Sequence, residues 1–198
     1  RTTSSAASDV YKRQNLDYPV AAPSANISSR LSSVKPSDVK EEFGSKIKYI
    51  LNGGKSKIGV ESTILNLLEK PSLLRYGGLD TKKIENVLKK KLLINTNSKK
   101  KLSPGLFPLH YSPGIPLRVN VKRPKKDEAY LLIKKRKSKL KNYYYLSKVK
   151  NIDEAAKNLY STLRKIKNDG FKKIAVETIP NKGLGKTIND RLKRASKY

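Results

Sequence analysis

Residues 95–116 read NTNSKKKLSPGLFPLHYSPGIP, and no other stretch of the chain restricts its fold as much. Four prolines and two glycines fall here without any apolar period. Proline fixes φ and offers no backbone N–H, so neither a helix nor a central strand can run through the segment. The chain must therefore organise itself on either side of an irregular linker, residues 15–94 before it and 117–198 after it. The same linker carries the only histidine, His110, beside Tyr111. A lone histidine is more often a hydrogen-bonded structural residue than a catalytic one, although its ordinary pKa lies near neutrality.

At 198 residues and 36% hydrophobic content the chain can build a core, which argues against disorder. Forty-five Lys and Arg against 16 Asp and Glu leave a net charge of +29, a field that attracts nucleic acid, nucleotides or anionic surfaces. The excess is mostly lysine, whereas sequence-specific readers favour the arginine fork. Lysine drift on solvated faces, as an AT-rich coding sequence produces, therefore outweighs dedicated RNA binding as its explanation. With no cysteine and one histidine, disulfides, thiolate nucleophiles, Cys-His pairs and His/Cys metal clusters are excluded. No apolar run reaches membrane-spanning length and no signal peptide is visible, so a cytoplasmic protein is the expectation. Methionine is absent, and the opening RTTSSAASDVYKRQ reads as translated adapter. Residues 1–14 are set aside as a non-native extension, and the natural sequence is expected to begin near Asn15, inside a domain whose start is missing.

Before the linker, YPVAAPSAN from Tyr18 reads as a short buried strand running into a Ser/Asn turn. KPSDVKEEFGSKI has the early proline and acids and the late glycine of a short helix. IKYILNGG, KIGVESTILNL and SLLRYGG read as strands, and LDTKKIENVLKKKL as an amphipathic helix capped by Asp80 or Thr81. Beyond the linker, LRVNV, AYLLI, NYYYLS and KKIAVETI are expected strands. NIDEAAKNLYSTLRKIKNDG is a capped helix ending at Gly170, and KTINDRLKRASK a final helix. KKRKSKLK between two strands is an exposed loop. Strand and helix alternating in this way imply a small α/β domain with a partly parallel sheet.

Near the end of the chain, VETIPNKGLGKTINDRL imitates a phosphate-binding loop, but Pro180 stands where the first glycine is required. Proline supplies neither the N–H nor the positive φ, so a tight loop feeding a capped packing helix is the better reading. Counting alone leaves a Ser-His-Asp triad open, although no GxSxG elbow is present. AAPSANIS and GVEST place hydroxyl and amide groups at strand ends, the second beside Glu61. Together they suit a polar small molecule carrying phosphates and a hydroxyl; alone, each is an ordinary turn.

PVAAPSANIS, ILNGG, GVESTIL, LLRYGG and PGLFPLHYSP, in that order and spacing, strongly resemble the threonylcarbamoyl-AMP synthases of the YrdC-like family. AAKNLYSTLRKIKNDGFKKIAVETIPNKGLGKTINDRLKRAS is similar to the extra C-terminal domain of the long, two-domain form, and the resemblance runs from Tyr18 to the end. It implies an α/β fold class. Residues 15–94 would be the C-terminal part of a YrdC-like α/β domain with a twisted mixed sheet and helices. Residues 95–116 would be a linker serving as lid, and 117–198 a small Rossmann-like α/β accessory domain.

The implied activity is that of a nucleotidyltransferase in tRNA processing, joining L-threonine, bicarbonate and ATP into threonylcarbamoyl-AMP with release of pyrophosphate. That adenylate is the donor for threonylcarbamoyladenosine formation in tRNA. Mg²⁺ would accompany ATP, with no protein metal ligand identified. Double-stranded RNA or tRNA and tRNA-modification proteins are the implied macromolecular partners, with no membrane. An anionic carbamate must approach the α-phosphorus of ATP, so catalysis rests on positioning and charge neutralisation, without a covalent nucleophile.

Matched by position, the backbone around Ala22 and the Ser62 hydroxyl correspond to threonine contacts. Ser24, Ser32 and Arg75 correspond to ATP contacts, with Asn26 a neighbouring candidate. His110 and Tyr111 correspond to lid residues that enclose the nucleotide. Arg75 is the only one of these with a full positive charge. Ser29 replaces a usual Gly, and Tyr76 a usual Pro. The family's N-terminal part, with its Lys/Arg-rich nucleotide motif, is not among these residues, so the chain by itself is expected to be a fragment with little or no synthase activity. The competing readings are a basic RNA-binding module without catalysis and a terminal domain that only holds the lid.

Overall fold

The structure, a computed structural model, describes residues 15–19, 24–68, 70–96, 110–137 and 140–197. Before the linker, helix α1 (Pro36–Phe43) opens with proline in its first turn, where a missing N–H costs nothing. The Asp38 carboxylate turns back to accept the Val34 N–H at 2.9 Å. A 3₁₀ turn, Gly44–Lys46, follows. Strands β1 (Ile64–Asn66) and β2 (Ser72–Arg75) pair antiparallel, with a register irregularity at Ile64 and Leu65. From β2 the chain enters helix α2 (Thr81–Leu88) and returns parallel to β2 as β3 (Leu93–Ile94). Asp80 is the cap of α2, accepting the Lys82 N–H at 3.1 Å.

Beyond the linker, strands β4 (Leu117–Arg118), β5 (Ala129–Lys134), β6 (Tyr143–Ser147) and β7 (Ile174–Val176) form one parallel sheet in the order β4-β7-β5-β6. Helix α3 (Ile152–Asn168) joins β6 to β7, and α4 (Gly185–Ala195) follows β7. The Asn151 side chain caps α3 by accepting the N–H groups of Asp153 and Glu154, while Lys165 and Lys167 sit in the last turn against the helix dipole. Alternation decides what each strand gives the core: Leu131 and Ile133 pack with Leu159, Leu163 and Leu192 of the helices, while Tyr130 and Leu132 join a separate cluster with Ala175. The helix-side core also takes in Leu31 and Val34 from the first part of the chain and Tyr111 and Ile115 from the linker. Segments on both sides of the linker thus bury one continuous apolar body.

The chain is a mixed α/β fold, as its alternating pattern implies. Several elements differ from expectation. IKYILNGG is not a strand: Tyr49 and Leu51 are exposed, and no partner strand lies beside them among the described residues. KIGVESTILNL shrinks to β1 because residues before Ile64 turn away to pack on the C-terminal half. Gly59 lies so close to the Lys157 backbone that a Cβ would overlap it. Most of the strand expected after Tyr18 falls on residues 20–23, outside the described residues. The helix expected to run through Leu92 stops at Leu88, where Lys89 at φ 52° ends it, and an unexpected strand, β3, follows at Leu93 by pairing with β2. The phosphate-loop imitation resolves as expected into a tight turn. Gly185 packs directly on the Pro180 carbonyl, but the expected cap is absent: Leu184 stands at the N-cap of α4, and its side chain has no acceptor to offer.

Ser29, where the family usually has glycine, sits at φ 67°, in the left-handed region. Its carbonyl accepts the Ser112 N–H at 2.9 Å, so this turn is where the linker is tied back to the chain. A side chain is strained at such a φ. Ser29→Gly is expected to stabilise the chain by about 0.5 to 1 kcal/mol, read from the urea midpoint at unchanged slope. A destabilised variant would mean that the serine side chain itself supports the turn.

Candidate active site

The GVEST and LRYGG segments meet because Gly77 lies against the backbone of Ser62 and Thr63, where no Cβ fits. The Gly78 N–H donates to the Glu61 carbonyl at 2.8 Å, and Thr63 Oγ1 donates to the Leu79 carbonyl at 2.8 Å. Arg75, at the end of β2, reaches across: Nε donates to the Ser62 carbonyl at 3.1 Å and Nη2 to Ser62 Oγ at 3.2 Å. A threonine candidate and a nucleotide candidate therefore touch directly.

Glu61 is the centre of the second half of the site. Its carboxylate accepts from Ser32 Oγ at 2.6 Å, from the Tyr160 hydroxyl at 2.9 and 3.0 Å, and from Arg191 Nε at 3.0 Å. Burial by itself raises the pKa of Glu61, but the Arg191 charge and the Ser32 and Tyr160 hydroxyls outweigh it and hold the carboxyl below its usual range. Tyr160, fully buried beside this carboxylate, is pushed well up and stays a neutral donor.

The linker arrives over this cluster. Tyr111 is 1% exposed at φ 62°, its ring stacked on Tyr160 at 5.8 Å between centroids and lying over the Arg191 guanidinium at 4.5 Å. A non-glycine residue held in that backbone region is a cost that the stacking must offset. His110 packs on Tyr111 with ring centroids 4.0 Å apart. The Tyr111 hydroxyl and His110 Nδ1 are both buried and have no hydrogen-bond partner among the described residues.

Burial depresses the His110 pKa, and the charges of Arg191, Arg194 and Arg75 add to this against an opposing Glu61. A histidine with a depressed folded pKa prefers the open or unfolded chain once protonated. Stability should therefore rise with pH up to the ordinary histidine value of 6.5 and be indifferent above it. The single histidine resonance is expected to titrate below 6.5 in the folded chain, and a midpoint at or above 6.5 would contradict this placement.

Of the residues expected from sequence, Ser32, Ser62, Arg75, His110 and Tyr111 come together here. Ser24 and Asn26 lie in the turn that precedes them: the Asn26 N–H donates to the Ser24 carbonyl at 2.9 Å, and Asn26 Nδ2 to the Ile27 carbonyl at 2.9 Å. Ala22 lies outside the described residues. Sequence reasoning missed Tyr160, Arg191 and Arg194. The one available signal was that arginine is scarce, ten among the 45 basic residues, yet three fall in the last two helices at otherwise apolar positions.

The model of the threonylcarbamoyl-AMP synthase C-terminal domain matches residues 79–197, more than half of the chain. The chain belongs to the threonylcarbamoyl-AMP synthase family. A second family model, described as Telomere recombination, matches residues 11–77. The threonylcarbamoyl-AMP synthase of Pyrococcus abyssi is 34% identical over 202 residues, covering 92% of this chain and 59% of that protein. The protein of the same name from Bacillus subtilis is 29% identical over 197 residues, covering 90% and 57%. Among solved structures, P. abyssi Sua5 complexed with L-threonine superposes with a TM-score of 0.79 at 32% identity, over 91% of this chain and 58% of that one. A P. abyssi Sua5 variant with an adjacent histidine and tyrosine both changed to alanine gives 0.77 at 30%, over 98% and 61%. The chain therefore spans less than two thirds of the length of these synthases.

Proposed function

We propose that this chain acts in the synthesis of threonylcarbamoyl-AMP from L-threonine, bicarbonate and ATP, with release of pyrophosphate, as the donor for threonylcarbamoyladenosine in tRNA. One observation carries the reading: the Ser62–Arg75 pair and the buried, unpartnered polar atoms of His110 and Tyr111 converge at one place. Arg75 lies near enough to bias the titration of both His110 and Tyr111. In this reading Ser62 and the backbone at Ala22 hold threonine, while Arg75 neutralises charge on the phosphates. Ser24, Asn26 and Ser32 lie toward the nucleotide. The Ser32 hydroxyl already donates its hydrogen bond to Glu61, so it meets a ligand through its oxygen lone pairs. His110 and Tyr111 enclose the nucleotide and exclude water. That the L-threonine complex is that of a close structural neighbour supports threonine as a substrate.

Mg²⁺ would come with ATP and supply charge neutralisation on its phosphates. Among the described residues no group of three His, Cys, Asp or Glu stands together, and Glu61 is already engaged by three donors, so in this reading the ATP phosphates themselves would hold the ion. The parallel sheet with its two helices supports reading residues 117–198 as a Rossmann-like accessory domain joined by a strap to a YrdC-like part. The same reading puts the chain's action on tRNA in the cytoplasm beside tRNA-modification proteins; none of the described helices is long and apolar enough to cross a membrane.

The test is threonine- and bicarbonate-dependent pyrophosphate release from ATP, measured on these residues within a protein extended to the length of its relatives. Arg75→Ala is expected to raise the KM for ATP more than that for threonine, and Ser62→Ala to do the reverse. No turnover by the unsubstituted protein would refute the activity. Equal rises in both constants for both variants would refute the residue roles.

A further inference from the structure

Helix α4 touches the site through two arginines, three residues apart, that share one carboxylate. Arg191, 1% exposed, donates from Nε to Glu61 and to the Tyr160 hydroxyl at 3.2 Å, from Nη1 to Asp190 at 2.6 Å, and from Nη2 to the Tyr76 carbonyl at 2.7 Å. Its remaining face carries the Tyr111 ring. Arg194 Nε donates to the other oxygen of Asp190 at 3.1 Å, and Nη2 to the Thr96 carbonyl at 2.9 Å. Thr96 lies at the start of the proline-rich linker and Tyr111 near its end. One turn of helix thus grips both ends of the strap and the carboxylate next to Ser62.

We infer that Arg191 is a positioning residue of this active site, fixing the Glu61–Ser62 segment and the ring of Tyr111 with one guanidinium, with Asp190 and Arg194 extending the grip to the other end of the strap. The geometry demands arginine. A planar fork with five N–H donors can serve a carboxylate, a hydroxyl and a backbone carbonyl at once while stacking under an aromatic ring; an ammonium cannot. Burial works against the Arg191 charge, and Tyr160, Glu61 and Asp190 around it outweigh that, so the guanidinium stays charged. Removing it frees the Tyr111 ring from its platform and leaves the Glu61 carboxylate to find another position, which displaces the Ser62 hydroxyl that Arg75 also holds. A terminal domain that merely added bulk would not need to reach four separate segments through one side chain.

The inference rests on the proposed function for its catalytic meaning, but its physical content can be read without turnover. His110 is the only histidine, so its carbethoxylation by diethyl pyrocarbonate, followed by ultraviolet absorbance on the whole 198-residue chain, reports on the strap alone. Arg191→Ala is expected to speed that reaction roughly tenfold, and Arg191→Lys by an intermediate factor, as the strap end opens more often. Loss of the Arg191 charge relaxes the depressed His110 pKa and so by itself slows the reaction, which means that acceleration reports exposure. Arg164→Ala is the control. Arg164 is also buried, though less completely than Arg191, and is held by Glu42 at 3.3 Å and the Leu31 carbonyl at 3.2 Å, so its loss should lower stability without changing the histidine rate. Should Arg191→Ala fail to fold, Tyr160→Phe removes one hydroxyl from the same cluster and is expected to accelerate the reaction about threefold.

In the protein of full family length, Arg191→Lys is further expected to raise the KM for threonine more than that for ATP. Unchanged histidine rates in the folded Arg191 variants, or an equal acceleration by Arg164→Ala, would overturn the inference. Absence of turnover in the unsubstituted protein would instead refute the proposed activity and leave the histidine experiment to decide the role of Arg191.

Discussion

Gly77→Ala is expected to cost at least about 4 kcal/mol, among the largest effects open to a single substitution in this chain. A Cβ at Gly77 would overlap the backbone of Ser62 and Thr63. Neither side can retreat. The Gly77 carbonyl is held by Thr187 Oγ1 from helix α4 at 2.8 Å, and the neighbouring Gly78 N–H by the Glu61 carbonyl at 2.8 Å. The clash is backbone against backbone, so no rotamer change relieves it. Urea unfolding of the variant chain measures it. A loss below about 1 kcal/mol would mean that GVEST and LRYGG are not in contact in solution.

Glu61→Ala is the second large effect, expected at about 3 to 5 kcal/mol, because it strands a buried guanidinium. Arg191 would keep Asp190 but lose the carboxylate at its Nε, and the Ser32 and Tyr160 hydroxyls would lose their acceptor. The pH dependence follows from the lowered pKa. A carboxylate with a depressed folded pKa contributes stability that is present above its ordinary value of 4.5 and is lost as pH falls through the folded value. The unsubstituted chain should therefore weaken in acid below pH 4.5 more steeply than Glu61→Ala. Parallel acid profiles would show that Glu61 is not ionised against Arg191.

Local chemistry was readable wherever a segment carries its own reason to fold. Asn151 with two acids in the next turn and an apolar face through Leu159 and Leu163 specifies α3 without outside help. AYLLI is a short, continuous apolar run and NYYYLS an aromatic-rich one, enough for both to be recognised as strands, and the run in AYLLI fits a parallel strand buried on both faces. IKYILNGG misled because β-branched and aromatic residues describe a surface that suits a sheet, while the strand itself exists only beside a neighbour. β3 was missed for the opposite reason: two residues after a lysine run become a strand through pairing with Ser72 and Leu73.

At the candidate site, motif order singled out Ser32, Ser62, Arg75, His110 and Tyr111, which the fold brings together. What remained hidden was everything that holds them. Glu61 meets Arg191 across 130 residues of sequence, and nothing local to either announces the other. Scarce arginines at apolar helix positions in a lysine-rich chain were the only mark, one that charge counting conceals because it adds lysine and arginine together.

The central claim is that the motif segments and the terminal helices form one site through a buried charge pair. A double-mutant cycle between Glu61→Ala and Arg191→Ala, read by equilibrium unfolding, tests it most directly. Each single substitution leaves a buried group unpaired, whereas the double removes both, so the losses should fall short of additive by at least about 2 kcal/mol. Additivity within about 0.5 kcal/mol would show that Glu61 and Arg191 do not interact and that the two halves of the chain meet elsewhere.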